Sequence, residues 1–446
     1  MNALHPPTGF RAFIVIWLGQ IISILASGMT GFALSIWMYQ KTESATAMGL
    51  VQVFYITPFL LFSPIAGVWV DRYSRKLMMM VSDLAGGLGT VFLLVMFASG
   101  RLEFWHLYLT AALGGIGNTF QWPAYSAAIG AMIPKEQLGR VNGLMSLMEA
   151  GPGVIAPLLA GALLPVLRIE GILFFDVATF LLAVGALTLV HIPAPRQTQE
   201  GAAAKGNLWH EAAYGFRYIF ARPSLLGLQM IFFFGNLFTG IGFTVFAPMI
   251  LARTAQNSVI FGTVQTMFAV GEILGGLLMT AWGGFKRRVH GVLLGWMTFG
   301  LGMLALGVGQ GLLVWMIAAV FTQLFSPLVN GSNQAIWQAK VAPDVQGRVF
   351  SARRLIAWFT NPITPLIGGT LADFVLEPAM RGGGLLPAAF GTVVGTGPGA
   401  GMGLLIFICG IFSILVGIGG YFVPVIRNAE DLLPDHETLA AATQAE

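Results

Sequence analysis

Residues 67–76, G-V-W-V-D-R-Y-S-R-K, crowd one acid and three bases into a chain in which only 9 % of residues are charged. On both sides the sequence turns apolar for long distances. Residues 12–40, 107–134, 225–252 and 289–339 contain no Asp, Glu, Lys or Arg. A helix that crosses a bilayer needs about 20 apolar residues, so several of these runs hold a complete span and the last holds two. With 56 % hydrophobic residues among 446 and a mean hydropathy of +0.78, the chain is well above the roughly 45–50 % apolar share of soluble domains. The pattern predicts twelve spans, beginning near Ala12, Ala47, Leu77, Leu107, Val141, Gly171, Ser224, Val259, Val289, Gly311, Phe350 and Gly401. The first is too long for the core of a cleavable signal peptide and is expected to remain.

The charged decapeptide is then a turn between the second and third spans, and the other bases fall into the same frame. Loops on its side hold 18 of the 23 Lys and Arg, and the alternate loops, around Lys41, Arg101, Arg168, Arg253 and Arg381, hold five. Basic loops stay on the cytoplasmic side, which places both termini and residues 67–76 there. The net charge of +4 thus reads as membrane topology rather than nucleic-acid binding. The single cysteine, Cys409, lies in the last apolar run and excludes disulfides within the chain and cysteine-rich metal sites.

Two short matches share one offset. Gly139-Arg140-Val141 returns as Gly347-Arg348-Val349, and Ala156-Pro157-Leu158-Leu159-Ala160-Gly161 returns as Thr364-Pro365-Leu366-Ile367-Gly368-Gly369, both 208 residues later. They predict a parallel duplication of six-helix bundles with substrate bound at the midplane between them. The divisions are an N-terminal bundle (1–191), a cytoplasmic linker with an amphipathic helix (192–223), a C-terminal bundle (224–426) and a cytoplasmic tail (427–446). The amphipathic segment reads equally as a helix on the membrane surface or as an extension of the seventh span. Residues 374–400 read as an irregular extracytoplasmic loop. Their glycine runs lack the strand, lysine and hydroxyl residue of a phosphate loop.

Acids inside spans carry the chemical signal, because each costs roughly 2.5–3.5 kcal/mol at the bilayer centre and is expected to face the bundle interior. Asp83, Glu149, Asp176 and Glu272 lie in the third, fifth, sixth and eighth spans. By helical rise Glu149 and Glu272 come near the midplane, while Asp83 lies toward the cytoplasmic interface and Asp176 toward the outer one. Each is a candidate to alternate between protonated and ionised, since a low dielectric disfavours the charge. A permanently protonated, hydrogen-bonded acid is the competing reading. Gln20, Asn118, Gln121, Trp122, Asn236, Asn330, Asn333 and Gln334, with Ser27, Thr30, Trp37 and Trp337, suit a largely apolar cavity with a few orienting groups, or hydrogen bonds between helices. Glycines four apart, at Gly271 and Gly275 and at Gly291 and Gly295, predict close helix packing. Pro152 and Pro157, five apart, predict a kink in the fifth span.

Gly67-x3-Asp71-Arg72-x2-Arg75-Lys76, between the second and third of twelve spans, resembles the signature loop of the major facilitator superfamily. The segment Gly151-Pro152-x3-Ala156-Pro157-x3-Gly161 resembles its antiporter motif, with Ala156 and Ala160 where glycines are usual. The opening run from Phe10-Arg11 through Gly19-Gln20 to Thr42-Glu43-Ser44 is similar to the branch that contains macrolide efflux pumps and the enterobactin exporter. The resemblance implies that Asp71 latches the halves at the start of the eleventh span, where Arg348, Arg353 and Arg354 cluster. It also implies export of an amphipathic drug, siderophore or metabolite from the bacterial cytoplasm against protons, by a fold that can work as a monomer. The fourth span has Ala111 and Ala112 where many proton antiporters of the superfamily carry arginine, which argues against a mechanism built on that arginine. The second half repeats the bases at Lys286, Arg287 and Arg288 without an acid to match Asp71.

A lipid or lysolipid transporter is the alternative within transport. A non-transporting sensor needs a signalling domain that the short cytoplasmic segments do not hold. No H-E-x-x-H and no G-x-x-x-x-G-K-[ST] occurs, so a zinc enzyme or a nucleotide-driven pump lacks its signature, and neither cofactor nor metal is expected.

Overall fold

The computed structural model describes residues 9–133, 138–192, 208–341, 346–381 and 385–432, and among them there is helix and no strand. Nine stretches of these residues are long and apolar enough to cross a membrane. The chain divides into two compact units, residues 1–198 with 256–266, and 199–255 with 267–446.

In the first unit α1 (Gly9–Thr42), α2 (Ala45–Arg72), α3 (Arg75–Ala98) and α4 (Phe104–Met132) are single spans, and α5 (Leu138–Leu189) holds the fifth and sixth. One residue, Arg168 at φ 56°, reverses the chain within α5. The charged decapeptide supplies the last turns of α2 and the first of α3, joined by Tyr73 and Ser74, whose hydroxyl accepts the Leu77 N–H and caps α3. Lys76 donates to the carbonyls of Thr188 and Val190 at 2.9 and 2.8 Å. A cation there satisfies orphan carbonyls and complements the negative end of the helix dipole. Two apolar clusters close the unit at its ends, one around Phe13, Met79, Phe120 and Tyr125, the other around Leu34, Trp37, Leu93 and Leu173.

The second unit opens with α6 (Leu208–Phe220), followed by α7 (Pro223–Thr244) and α8 (Phe246–Arg253), the two pieces of the seventh span. Helix α6 is separate from α7, which Pro223 restarts. Its Ile219 is buried against Leu225, Trp337, Val349 and Ala352, so protein rather than lipid covers that face. Then come α9 (Ser258–Trp282), whose residues up to Thr266 belong to the first unit, α10 (Arg288–Val308), and α11 (Leu312–Leu324) with α12 (Ser326–Lys340), which share the tenth span.

The eleventh span is discontinuous. It runs through α13 (Gln346–Trp358), α14 (Thr364–Thr370), a π-helical turn (Leu371–Leu376) and α15 (Glu377–Arg381). The segment expected to be irregular continues helically into α16 (Leu385–Val394), because Leu386, Phe390 and Val394 bury against Met380 and Leu404. Last come α17 (Ala400–Phe422) and the short α18 (Pro424–Arg427) and α19 (Ala429–Leu432).

Acids tie the ends of this unit. Glu377, 5 % exposed, accepts the N–H groups of Gly399, Gly401 and Met402 at the start of α17. Arg253 donates to the carbonyls of Gly307, Gly309 and Val394. Glu430 accepts the Val289 N–H at 2.9 Å, and Asp431 pairs with Arg287. The acid absent from the loop at Lys286–Arg288 is thus supplied by the tail.

Helices α10 and α17 meet on glycine. A Cβ on Gly410 would stand 2.8 Å from the Gly300 carbonyl oxygen, and one on Gly300 would stand 2.6 Å from that of Gly410. Gly410→Ala is expected to force the two helices apart and to cost about 1–3 kcal/mol, read as a lower unfolding temperature in detergent. Gly419→Ala, whose Cβ meets nothing within 4 Å, is expected to leave that temperature unchanged.

Candidate functional site

Two polar layers lie between the apolar ends of the first unit, and α1 and α3 contribute to both. In one, Gln20 Nε2 donates to Asp83 Oδ2 at 2.7 Å, and Gln121 Nε2 donates to Asp83 Oδ1 at 2.9 Å and to Gln20 Oε1 at 3.1 Å. Three helices therefore share one carboxylate. Seven residues further along α1 and α3, two turns and about 10 Å away, Ser27 and Thr90 form the second layer. The Ser27 hydroxyl donates to Asp176 Oδ1 at 2.8 Å and the Thr90 hydroxyl to Oδ2 at 3.2 Å. Thr30 lines the same cavity as this carboxylate, and its buried hydroxyl makes no hydrogen bond. Asp176 is 1 % exposed, and none of the groups holding it is charged.

A cavity of about 460 Å³ opens beside Asp176, formed by α1, α2, α3, α4 and the sixth span, all within the first unit. Leu34, Met38, Met48, Val51 and Leu93 give it apolar walls. Gln52, Tyr55 and Thr110 add polar groups, and no basic side chain is among its described lining residues. Its size falls in the roughly 300–1,000 Å³ range of small-molecule sites, and its make-up is the usual one of apolar walls with a few placed polar groups.

The expected site residues divide between the two layers and other roles. Gln20 and Gln121 join Asp83, and Asn118 donates to the Tyr55 hydroxyl at 2.7 Å, so it reaches the cavity through that ring. Trp122 is exposed and stacks on none of these groups. In the second unit Asn236 donates to the Ala357 carbonyl at 3.3 Å, Asn333 accepts the Trp337 indole N–H at 3.0 Å, and Asn330 donates to the Ser326 hydroxyl at 3.3 Å. The first of these bonds joins two helices, and the other two lie within α12. Gln334 is half-buried on α12, and Glu272 is exposed on α9 beside Ile273 and Leu274. The side chains of Glu149, Asp71, Arg72 and Arg348, and the surroundings of Gly67, lie outside the described residues. The Arg353 guanidinium lies 5.3 Å from the Trp337 ring and that of Arg354 4.2 Å from the Trp358 ring.

The proline segment of the fifth span is buried at Pro152, Ala156, Pro157 and Gly161 and half-buried at Gly151. A Cβ on Gly161 would stand 2.9 Å from the Ser258 carbonyl oxygen, and the Thr266 hydroxyl donates to the Val154 carbonyl at 3.2 Å. The first turns of α9 therefore pack directly on this motif, inside the first unit.

Sequence reading missed two features. The cavity itself depends on helix rotation, and no single residue announces it. The break in the eleventh span was announced by Asn361-Pro362-Ile363-Thr364-Pro365. Pro362 has no N–H to continue the ladder, the Asn361 N–H turns to the Trp358 carbonyl, and the Ala357 carbonyl left over is satisfied by Asn236 and Thr360.

A bundle of membrane-length helices around a largely apolar cavity with a few placed polar groups is the architecture of a membrane transporter. The family model of the Major Facilitator Superfamily matches residues 16–255, more than half of the chain, and the chain belongs to that superfamily. Macrolide efflux protein A of Streptococcus pyogenes is 25 % identical over 367 residues, 81 % of this chain and 89 % of that protein. The enterobactin exporter EntS of Salmonella typhimurium (strain LT2) is 24 % identical over 344 residues, 76 % of this chain and 80 % of that one. Among solved structures, a bacterial homologue of the human lysosomal transporter Spinster, inward-facing and occupied, aligns with TM-score 0.66 at 17 % identity over 92 % of this chain and 96 % of its own. A bacterial homologue of the iron transporter ferroportin aligns with TM-score 0.61 at 13 % identity over 91 % and 98 %. These likenesses show the major facilitator fold.

Gln121→Leu would strip Asp83 of one donor and is expected to lower stability by about 1–3 kcal/mol, measured as thermal unfolding in detergent. An unchanged unfolding curve would show that the Gln20–Asp83–Gln121 layer does not hold the helices together.

Proposed function

We propose that this multi-pass membrane protein is a secondary active exporter that expels an amphipathic small molecule by alternating access, with protons entering in exchange. The observation that carries the reading is a carboxylate, Asp176, held only by neutral donors at the wall of a cavity of drug-sized volume. Membership of a transport superfamily and two relatives whose names describe efflux or export support the direction. An ionised carboxylate in such surroundings is costly unless a proton or a cation joins it. Occupancy of the site therefore changes its charge, which is what an exchanger has to couple to movement.

Both termini and the charged decapeptide are assigned to the cytoplasm on the distribution of bases, 18 against five. Asp71 is assigned the latch that holds the halves in one orientation, with Lys76 bracing the end of the sixth span beside it. The small-molecule substrate and the proton are the partners of this reading, in a chain working as a monomer.

In pump-deficient bacteria, a macrolide, dye and siderophore panel is expected to show lower retention with the protein than without it, reversed by a protonophore. Asp176→Asn is expected to abolish the protonophore-sensitive part at unchanged expression. Full activity in that variant, with loss in Glu149→Gln or Glu272→Gln, would move the coupling to those acids. Asp71→Asn is expected to reduce efflux with surface expression intact, and normal efflux would remove the latch.

A further inference from the structure

We infer that the Asp176 cavity selects amphipathic solutes carrying a single positive charge, with the carboxylate as the counter-ion and the apolar wall as the seat of the hydrophobic body. The inference rests on the reading of this cavity as the transport site and gives it a substrate class.

Charge comes first. Among the described lining residues Asp176 is the only acid, and Tyr55 is the only other titratable side chain. From α1 the carboxylate meets the Ser27 hydroxyl, from α3 the Thr90 hydroxyl. No Lys, Arg or His is among the described lining residues. A carboxylate with a resident cation would have its charge already spent. When ionised, this one has dipoles that orient it and no cation among the described residues around it, so an anionic solute would meet repulsion in a low dielectric, where charges act at longer range, while a neutral form would give an anion no partner. A cationic solute supplies the missing partner, and a charge-assisted contact is roughly twice as strong as a neutral hydrogen bond.

The walls decide what carries the charge. A metal ion held by protein oxygens needs several hard ligands around it, yet no group of three or more acids, His or Cys occurs among the described residues. The cavity is also too large for a bare ion, and much of its lining is Leu, Met and Val. Met38 and Met48 are unbranched and adapt to irregular shapes, so the wall suits a family of apolar bodies better than one rigid outline. The polar groups other than Asp176 are neutral amides, hydroxyls and a phenol. They orient a solute but do not demand a second charge.

The experiment uses two probes of nearly the same size and shape and opposite charge, tetraphenylphosphonium and tetraphenylborate, in equilibrium dialysis against the purified full-length protein in detergent. The protein is expected to bind the phosphonium about tenfold or more tightly than the borate, and Asp176→Asn is expected to erase that preference. Gly31 lines the cavity and a Cβ there meets nothing within 4 Å, so Gly31→Leu fills cavity space while leaving the Asp176 carboxyl group in the chain. It is expected to weaken phosphonium binding about tenfold at an unchanged unfolding temperature, which keeps the test alive if Asp176→Asn fails to fold. Equal affinity for the two ions, or phosphonium binding indifferent to both substitutions, would overturn the inference. Binding is read without transport, so a protein that exports solutes but fails here loses only the substrate class. One that binds the phosphonium but moves nothing loses the exporter reading and keeps the site.

Discussion

Inside a bilayer no water is at hand to satisfy a polar group, so each one placed at depth has to find its partner on another helix or line a cavity. That constraint organises the first unit. Gln20, Asp83 and Gln121 close a ring across α1, α3 and α4, and Ser27, Thr90 and Asp176 join α1 and α3 to the sixth span. Because both rings draw on the same faces of α1 and α3, a rotation of either helix would break both layers together. The apolar clusters at the two ends are non-directional and would tolerate such a rotation better. The polar layers therefore specify which packing is adopted, while the clusters supply most of the drive toward packing at all.

The second unit meets the same constraint through its backbone. Pro362 interrupts the eleventh span and leaves the Ala357 carbonyl without its ladder partner, and Asn236 on α7 takes it over. Gln229, on the same helix, donates to the Arg353 carbonyl at 3.1 Å. A broken helix is tolerable here because a neighbour re-satisfies it. With few polar side chains to hold register, α10 and α17 rely instead on direct backbone contact at Gly300 and Gly410, the way small residues bring membrane helices together.

Most of the architecture was legible in the sequence. The twelve expected starts lie within a few residues of the observed ones, Ala47 against Ala45 and Ser224 against Pro223 for example, because a span is a composition signal averaged over about 20 residues. Features set by single residues were less legible. Arg168 turns the chain by itself, and Leu386 and Phe390 make a helix of a segment whose glycines suggested irregularity. For the candidate site, the cost of a buried acid singled out Asp83 and Asp176, but depth alone ranked Glu149 and Glu272 ahead of them. Depth follows from counting residues. Which face of the helix an acid occupies depends on neighbours that a linear pattern does not place, and the shared face of Ser27, Thr90 and Asp176 emerges only with the packing.

Acids in this fold do two kinds of work. In the first unit Asp83 and Asp176 sit within spans and bind hydroxyl or amide donors from other spans. In the second, Glu377 and Glu430 sit at span ends and accept backbone N–H groups at the starts of α17 and α10. A carboxylate at a helix N-terminus is stabilised by orphan donors and by the dipole, and it gains from staying ionised. A carboxylate surrounded by neutral hydroxyls has no such charge to answer it, so its protonation and its occupancy by a cation compete on closer terms. By that chemistry the capping acids Glu377 and Glu430 are suited to fixing helix ends, and Asp176, on the function proposed above, to changing its partner.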